Sequence, residues 1–175
     1  GSKIFFYMFV IAMMIPLPGS FVPLVVLMNK LHLANKPIGY ILCMINVGLS
    51  FSILLLKTFF DKMPADLEDA ARIDGCTKLG IWRHVALPLA RPAIAVIVIF
   101  NSLNVWNEYI LATLLLSDKK VMPLQRGLMD FQGAHSVDYP LLMAGLTIAA
   151  VPIILVYLAM QKHIIKGLAS GAVVG

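Results

Sequence analysis

The stretch PIGYILCMINVGLSFSILLL, residues 37–56, carries no charge between Lys36 and Lys57. As a helix its 20 residues reach about 30 Å, the thickness of the hydrocarbon layer of a bilayer. Three more uncharged runs flank it: 26 residues between Lys3 and Lys30, 16 between Arg91 and Glu108, and 23 between Asp138 and Lys162. A spanning helix needs about 17–25 residues. The third run must therefore take Glu108 near its end, at the interface, where a carboxylate costs far less than at the bilayer centre. The expectation is an all-α integral membrane fold with four transmembrane helices, at about 4–28, 37–57, 87–109 and 139–161. Composition points the same way. The chain is 60% hydrophobic and 13% charged over 175 residues, with a mean hydropathy of +0.89, whereas soluble domains are about half apolar and a quarter charged.

Four spans place both termini on one side. If residues 58–88 are cytoplasmic, that side holds Lys3, Lys57, Lys62, Arg72, Lys78, Arg83, Arg91, Lys162 and Lys166, against Lys30, Lys36, Lys119, Lys120 and Arg126 outside. Nine against five follows the positive-inside bias, which accounts for the net charge of +5 without a nucleic-acid partner. Residues 110–138 then form an external loop and 162–175 a cytoplasmic tail. Pro16, Pro18, Pro23 and Pro152 fall inside spans, as kinks that shape a bundle or as hinges. Cys43 and Cys76 define no disulfide framework. The beginning, Gly1-Ser2-Lys3, lacks an initiator Met, and the chain is expected to be a fragment.

The polar interruption at residues 63–87 is the most informative segment. Pro64 suits a first helical position, Asp66, Glu68 and Asp69 complement the positive helix end, and Gly75 suits a left-handed stop. An 11-residue helix is expected there, followed by a second that Thr77 caps and Pro88 ends. A connection alone would need neither helix, so the segment is built to present a surface. It is not built to lie on lipid: Asp61, Asp66, Glu68, Asp69 and Asp74 would be repelled by anionic headgroups.

Asp69-Ala70-Ala71, then Gly75, then Val85 and Leu87-Pro88 resembles the EAA loop of permease subunits of binding-protein-dependent ABC importers. That loop reads Glu-Ala-Ala, Gly, Ile and Leu-Pro at the same spacing, so Asp69 and Val85 are departures. Trp106-Asn107-Glu108-Tyr109, Leu141 to Gly145 and the tail Gly167 to Val173 resemble the carbohydrate-uptake, maltose-permease-like branch. The resemblance implies the last four helices of a six-helix permease. It implies a nucleotide-binding subunit docked on the loop through Glu68, Asp69, Ala70, Ala71, Asp74, Gly75, Val85, Leu87 and Pro88, with Glu68 sharing the ion pair that a shorter Asp69 would make. It also implies a tail contact to that ATPase through Gly167 and Gly171, a sister permease subunit, an extracytoplasmic solute-binding protein reached by the external loop, and a bacterial inner-membrane location with a cytoplasmic C-terminus. ATP and Mg would belong to the partner subunit. This chain has no Gly-Lys dipeptide and hence no P-loop.

A translocation path is read from polar residues within spans. Asn101, Asn104 and Glu108 recur at three- and four-residue spacing, and Asn46 and Ser50 do so on the second span. For Asn46 and Ser50, hydrogen-bonding glue between helices, worth about 0.6 kcal/mol on average, is at least as good a reading, whereas the Asn101, Asn104 and Glu108 stripe reads rather as the pathway or its external gate. Gly145 and Ala149 form a small-residue face for close packing. No metal site is expected, since His135 has no second ligand at metal spacing, and His84 reads as a surface residue. The alternatives are a permease for a different polar solute and an intramembrane enzyme using Glu108 with His135 or Asp138. No Gly-x-Ser-x-Gly or His-Glu-x-x-His motif supports the second.

Overall fold

A computed structural model describes residues 2–133 and 136–172 of the chain. Its elements are α1 (Ser2–Met14), α2 (Phe21–Lys30), α3 (Pro37–Asp61), α4 (Ala65–Ile73), α5 (Lys78–Ile81), α6 (Leu87–Leu89), α7 (Arg91–Asn107), α8 (Ile110–Leu115), α9 (Leu124–Leu128) and α10 (Tyr139–Ala172). Among the described residues the only β-type pairing is an isolated bridge between Gln132 and Val137.

Two helices, α3 and the 139–159 part of α10, are each long and apolar enough to cross a membrane. The other two runs are broken. Residues 4–28, read above as one span, form α1 and α2, which meet at 99° through a 3₁₀ turn at Leu17–Ser20. Pro16 is held at φ −64 and ψ 123, and Pro18 has no N–H to give to a helix, so the helix cannot run through. Pro23 lies within the first turn of α2, where a missing N–H is tolerated. Pro152 sits inside α10 without ending it. The run read as 87–109 begins at Arg91, after a 67° bend, and ends at Asn107. The expected tail, residues 162–175, continues α10 as helix to Ala172; Val173 lies outside the described residues, as does His135.

Contacts order the ends. The Lys57 ammonium lies 5.1 Å from the Phe6 ring centroid, which places the start of α1 beside the end of α3. At the opposite end Asn35, at φ 56, joins two loops. Its N–H donates to the Leu115 carbonyl at 2.8 Å, and its Oδ1 accepts from the N–H groups of Ser117 and Asp118 at 2.8 and 3.0 Å. Segments 31–36 and 115–118 thus share one end, here called outer, and the 62–90 segment occupies the other. The largest buried cluster lies at the outer end, where Met28, Tyr40, Cys43, Met44, Leu111 and Leu115 join α2, α3 and α8. A second cluster packs Leu128 on Leu142 and Ala149. The Gly145 and Ala149 face therefore receives Leu128 and Phe131 from the segment before α10, while the Trp106 indole N–H ties α7 to α10 at the Ala149 carbonyl, 3.1 Å away.

The segment 117–133 also holds an acid-sensitive contact. Arg126 lies 2.8 Å from Asp130 and Lys119 3.3 Å from it. These hydrogen bonds hold the Asp130 carboxyl below the usual carboxylate range. The stabilisation is therefore complete above the unfolded value of about 3.9 and is lost as pH falls through the lower folded one. Because Asp130 and Lys119 are exposed, the effect is small. Proteolytic sensitivity of residues 117–133 is expected to rise below about pH 4, and Asp130→Asn to remove that pH step.

Candidate functional site

The 62–90 segment is exposed along most of its length. Pro64 sits at the N-cap of α4, one position before the helix, so α4 has 9 residues in place of the 11 expected. Asp66 and Glu68 occupy its first turn and Arg72 its last, the arrangement the helix dipole favours. Arg72 reaches Glu68 at 2.6 Å and Asp69 at 3.5 Å, so a cation from outside would compete with Arg72 for both acids. Ala71 is the one buried residue of α4; Ala70 is exposed beside it.

The stop after α4 forms as the sequence indicates. Asp74 is the C-cap and Gly75 adopts φ 82, a left-handed conformation that costs glycine nothing. The Cys76 N–H then returns to the Ala71 carbonyl at 2.9 Å, closing the helix end. Thr77 Oγ1 accepts from the Gly80 N–H at 3.2 Å and starts α5. A π turn over Trp82–Ala86 follows, with Val85 half-buried and Leu87 and Pro88 leading into the 67° bend. His84 is exposed and faces the Gly80 carbonyl. Sequence reasoning passed over the apolar residues here: Ile73 is 86% and Leu79 72% exposed. Their signal was available, because both flank Gly75 among charged neighbours.

The second site is a groove of about 530 Å³ between α3 and α7, lined by Tyr40, Gly48, Ser52, Asn101, Asn104 and Glu108 with apolar neighbours. Asn101 Nδ2 donates to Ser52 Oγ at 3.0 Å, and Ser52 donates to the Gly48 carbonyl at 2.7 Å. Glycine at 48 leaves room for the amide, since a Cβ there would stand 2.9 Å from Asn101 Oδ1 and the Asn101 side chain would have to shift. Ser52, Asn101 and Glu108 are half-buried and Asn104 is exposed, so these groups line an open wall. At membrane depth such a wall faces water or protein.

Asn101, Asn104 and Glu108 therefore line one groove, but Glu108 is not helical. It is the C-cap of α7, extended at φ −74 and ψ 127. Its carboxylate turns to cap α8, with Oε1 accepting from the Leu111 N–H at 2.6 Å and Oε2 from the Ala112 N–H at 3.2 Å and the Tyr40 hydroxyl at 3.0 Å. Asn46 and Ser50 do not line the groove; Asn46 is exposed and Ser50 half-buried on another part of α3. Tyr40 and Ser52 take that place. Tyr40, Met44, Gly48 and Ser52 form a four-residue ladder, but in so apolar a helix spacing alone does not choose that ladder over the one bearing Asn46 and Ser50. Asp138 accepts from the Leu141 N–H at 3.2 Å and caps its own helix. Gly167 and Gly171 lie on the backbone of α10.

Similarity to known proteins fits this architecture. The family model for the binding-protein-dependent transport system inner membrane component matches residues 1–170. A putative ABC transporter permease protein, ORF2 of Caldicellulosiruptor sp. (strain Rt8B.4), is 34% identical over 99% of this chain and 63% of its own length. The arabinooligosaccharides transport system permease protein AraQ of Bacillus subtilis (strain 168) is 34% identical over 100% of this chain and 62% of its own. The chain thus spans less than two-thirds of these relatives. The crystal structure of a bacterial ABC transporter involved in the import of the acidic polysaccharide alginate contains a chain that superposes with a TM-score of 0.76 at 27% identity, over 93% of this chain and 61% of that one. With the family match extending over residues 1–170 and the polar helix pair set between membrane helices, the chain belongs to the family of inner membrane components of binding-protein-dependent transport systems.

Proposed function

We propose that this chain is part of the transmembrane permease subunit of an ATP-driven ABC importer that moves a sugar or oligosaccharide into the cytoplasm. The observation that carries the reading is the exposed α4–Gly75–α5 segment, whose acids, paired only with Arg72 of the same helix among the described residues, stand with exposed Ile73 and Leu79 around a fixed turn. A nucleotide-binding subunit holding ATP and Mg seats on that surface and on the inner end of α10 near Gly167 and Gly171. Closure of the ATPase pair on ATP moves α4 and α5 as a lever, and the bend before α7 carries the motion into the spans. A sister permease completes the pathway, and a solute-binding protein delivers solute at the outer end. The polar segment and the C-terminal end of α10 are cytoplasmic, in the inner membrane of a bacterium. The sugar assignment rests on the resemblance and on relatives whose names specify oligosaccharide or alginate import.

Asn101 and Asn104 supply amides to sugar hydroxyls along the groove. In the full-length protein assembled with its partners, Asn104→Leu is expected to raise the KM for sugar uptake roughly fivefold, the loss of about one hydrogen bond, with little change in basal ATPase activity. Uptake of a non-carbohydrate solute with no response to any sugar would favour the alternative of a permease for another polar solute.

A further inference from the structure

The hydrogen bonds around Glu108 join parts of the chain that helix geometry leaves separate. α7 ends at Asn107, Glu108 is extended, and Tyr109 at φ −135 and ψ −20 is not helical either. Two consecutive non-helical residues make a swivel between α7 and α8. α8 is fixed instead from outside itself, by the Asn35 strap at its far end and by the Glu108 carboxylate, which the Tyr40 hydroxyl of α3 shares. Leu111 and Ala112, whose N–H groups the carboxylate accepts, are 2% and 0% exposed, so water cannot replace the cap. Tyr40 and Glu108 also stand at the groove end nearest α8.

We propose that Tyr40 and Glu108 are positioning residues for transport, a latch that holds α8 on α3 across the outer end of the groove and releases it when the groove opens outward. This rests on the transport reading above. The latch needs both carboxylate oxygens. Three donors converge on Oε1 and Oε2, and a glutamine would turn one acceptor into a donor aimed at another donor. Tyr40→Phe removes only the hydroxyl and leaves the ring packed.

The chain carries its own reporter. Cys43 is 5% exposed, three residues from Tyr40, in the cluster with Leu111, Ala112 and Leu115. In the full-length transporter, with Cys76 and cysteines elsewhere replaced by serine, Cys43 alkylation by N-ethylmaleimide reads how often α8 lifts. Without ATP, Tyr40→Phe and Glu108→Gln are each expected to raise that rate roughly tenfold, as expected for losing one hydrogen bond to a charged acceptor. The double variant should add little to either. A control thiol at the inner end, Ala93→Cys, should keep its rate. In the parent, turnover with ATP and sugar should speed Cys43 labelling. Tyr40→Phe should lose that dependence and lower the maximal uptake rate without changing KM.

Unchanged Cys43 labelling in both single variants overturns the latch, as does an additive double variant. A parallel rise at Ala93→Cys also overturns it, because the pair would then be only a general fold contact. Absence of sugar uptake by the parent would instead defeat the transport reading, while the resting labelling rates still decide the latch.

Discussion

Replacing Gly75 with valine is expected to abolish solute-stimulated ATP hydrolysis and uptake in the assembled transporter while the membrane helices stay folded. The reason lies in the backbone. Gly75 holds φ 82, and a Cβ at this position would meet nothing within 4 Å, so steric contact plays no part. An ordinary L-residue pays about 1–2 kcal/mol for the left-handed region, and a β-branched one is a genuine outlier there. Relief comes by changing φ, which breaks the returns from Gly75 N–H to the Arg72 carbonyl and from Cys76 N–H to the Ala71 carbonyl, at 3.0 and 2.9 Å. α4 and α5 then lose their fixed angle. Asparagine tolerates the left-handed region, so Gly75→Asn should keep most coupling and Gly75→Ala should fall between. ATPase and uptake assays on the three variants, with circular dichroism to confirm folding, settle the order. Full coupling in Gly75→Val would remove the lever from the mechanism.

The second large effect is on stability. Gly39→Ala is expected to destabilise the protein by about 3 kcal/mol, the upper part of the usual range for overpacking. The added methyl would run into the Leu33 carbonyl oxygen and stand 3.1 Å from its carbon and Cβ. Backbone must then move, and this backbone is pinned. Leu33 and Ala34 N–H both return to the Met28 carbonyl at 2.8 and 3.2 Å, and the Asn35 N–H is bonded to Leu115. Gly145→Ala offers the comparison, because its methyl also overlaps a neighbour, but that neighbour is the Leu128 side-chain tip, which can rotate away. Thermal unfolding in detergent should show a clear drop for Gly39→Ala and a smaller one for Gly145→Ala. Equal drops would mean that the outer turn is less rigid than its hydrogen bonds imply.

The local features were legible because local chemistry decides them. A glycine followed by a threonine with another glycine three residues on fixed both the stop of α4 and the cap of α5 before any tertiary contact was known. Charge spacing likewise located the four apolar runs, of which two are single helices long enough to cross a membrane and two are bent pairs. The breaks were harder. Of the four prolines read as kinks or hinges, those at 16 and 18 stand at the break between α1 and α2, whereas Pro23 lies in a first turn and Pro152 in a helix that continues. The face of α3 could not be read at all from periodicity. That helix is apolar almost all round, so nothing local separates the side bearing Asn46 and Ser50 from the one bearing Tyr40 and Ser52. Glu108 illustrates the same limit, because spacing placed it on the stripe of Asn101 and Asn104, whereas it closes α7 as an extended residue and caps α8, with Tyr40 its partner from a distant part of the chain.

The uninterrupted run of α10 has a mechanical consequence. Its 34 residues extend about 51 Å at 1.5 Å per residue, against roughly 30 Å of hydrocarbon. About 20 Å of rod must therefore stand clear of the bilayer. Tyr139 begins near the outer loops, so the surplus emerges on the side of α4 and α5. Whatever grips those short helices meets a second, stiff post rooted in a different part of the bundle. A body held at two separated points can be turned as well as pulled, and a torque on it reaches α7 through the Trp106 bond to Ala149.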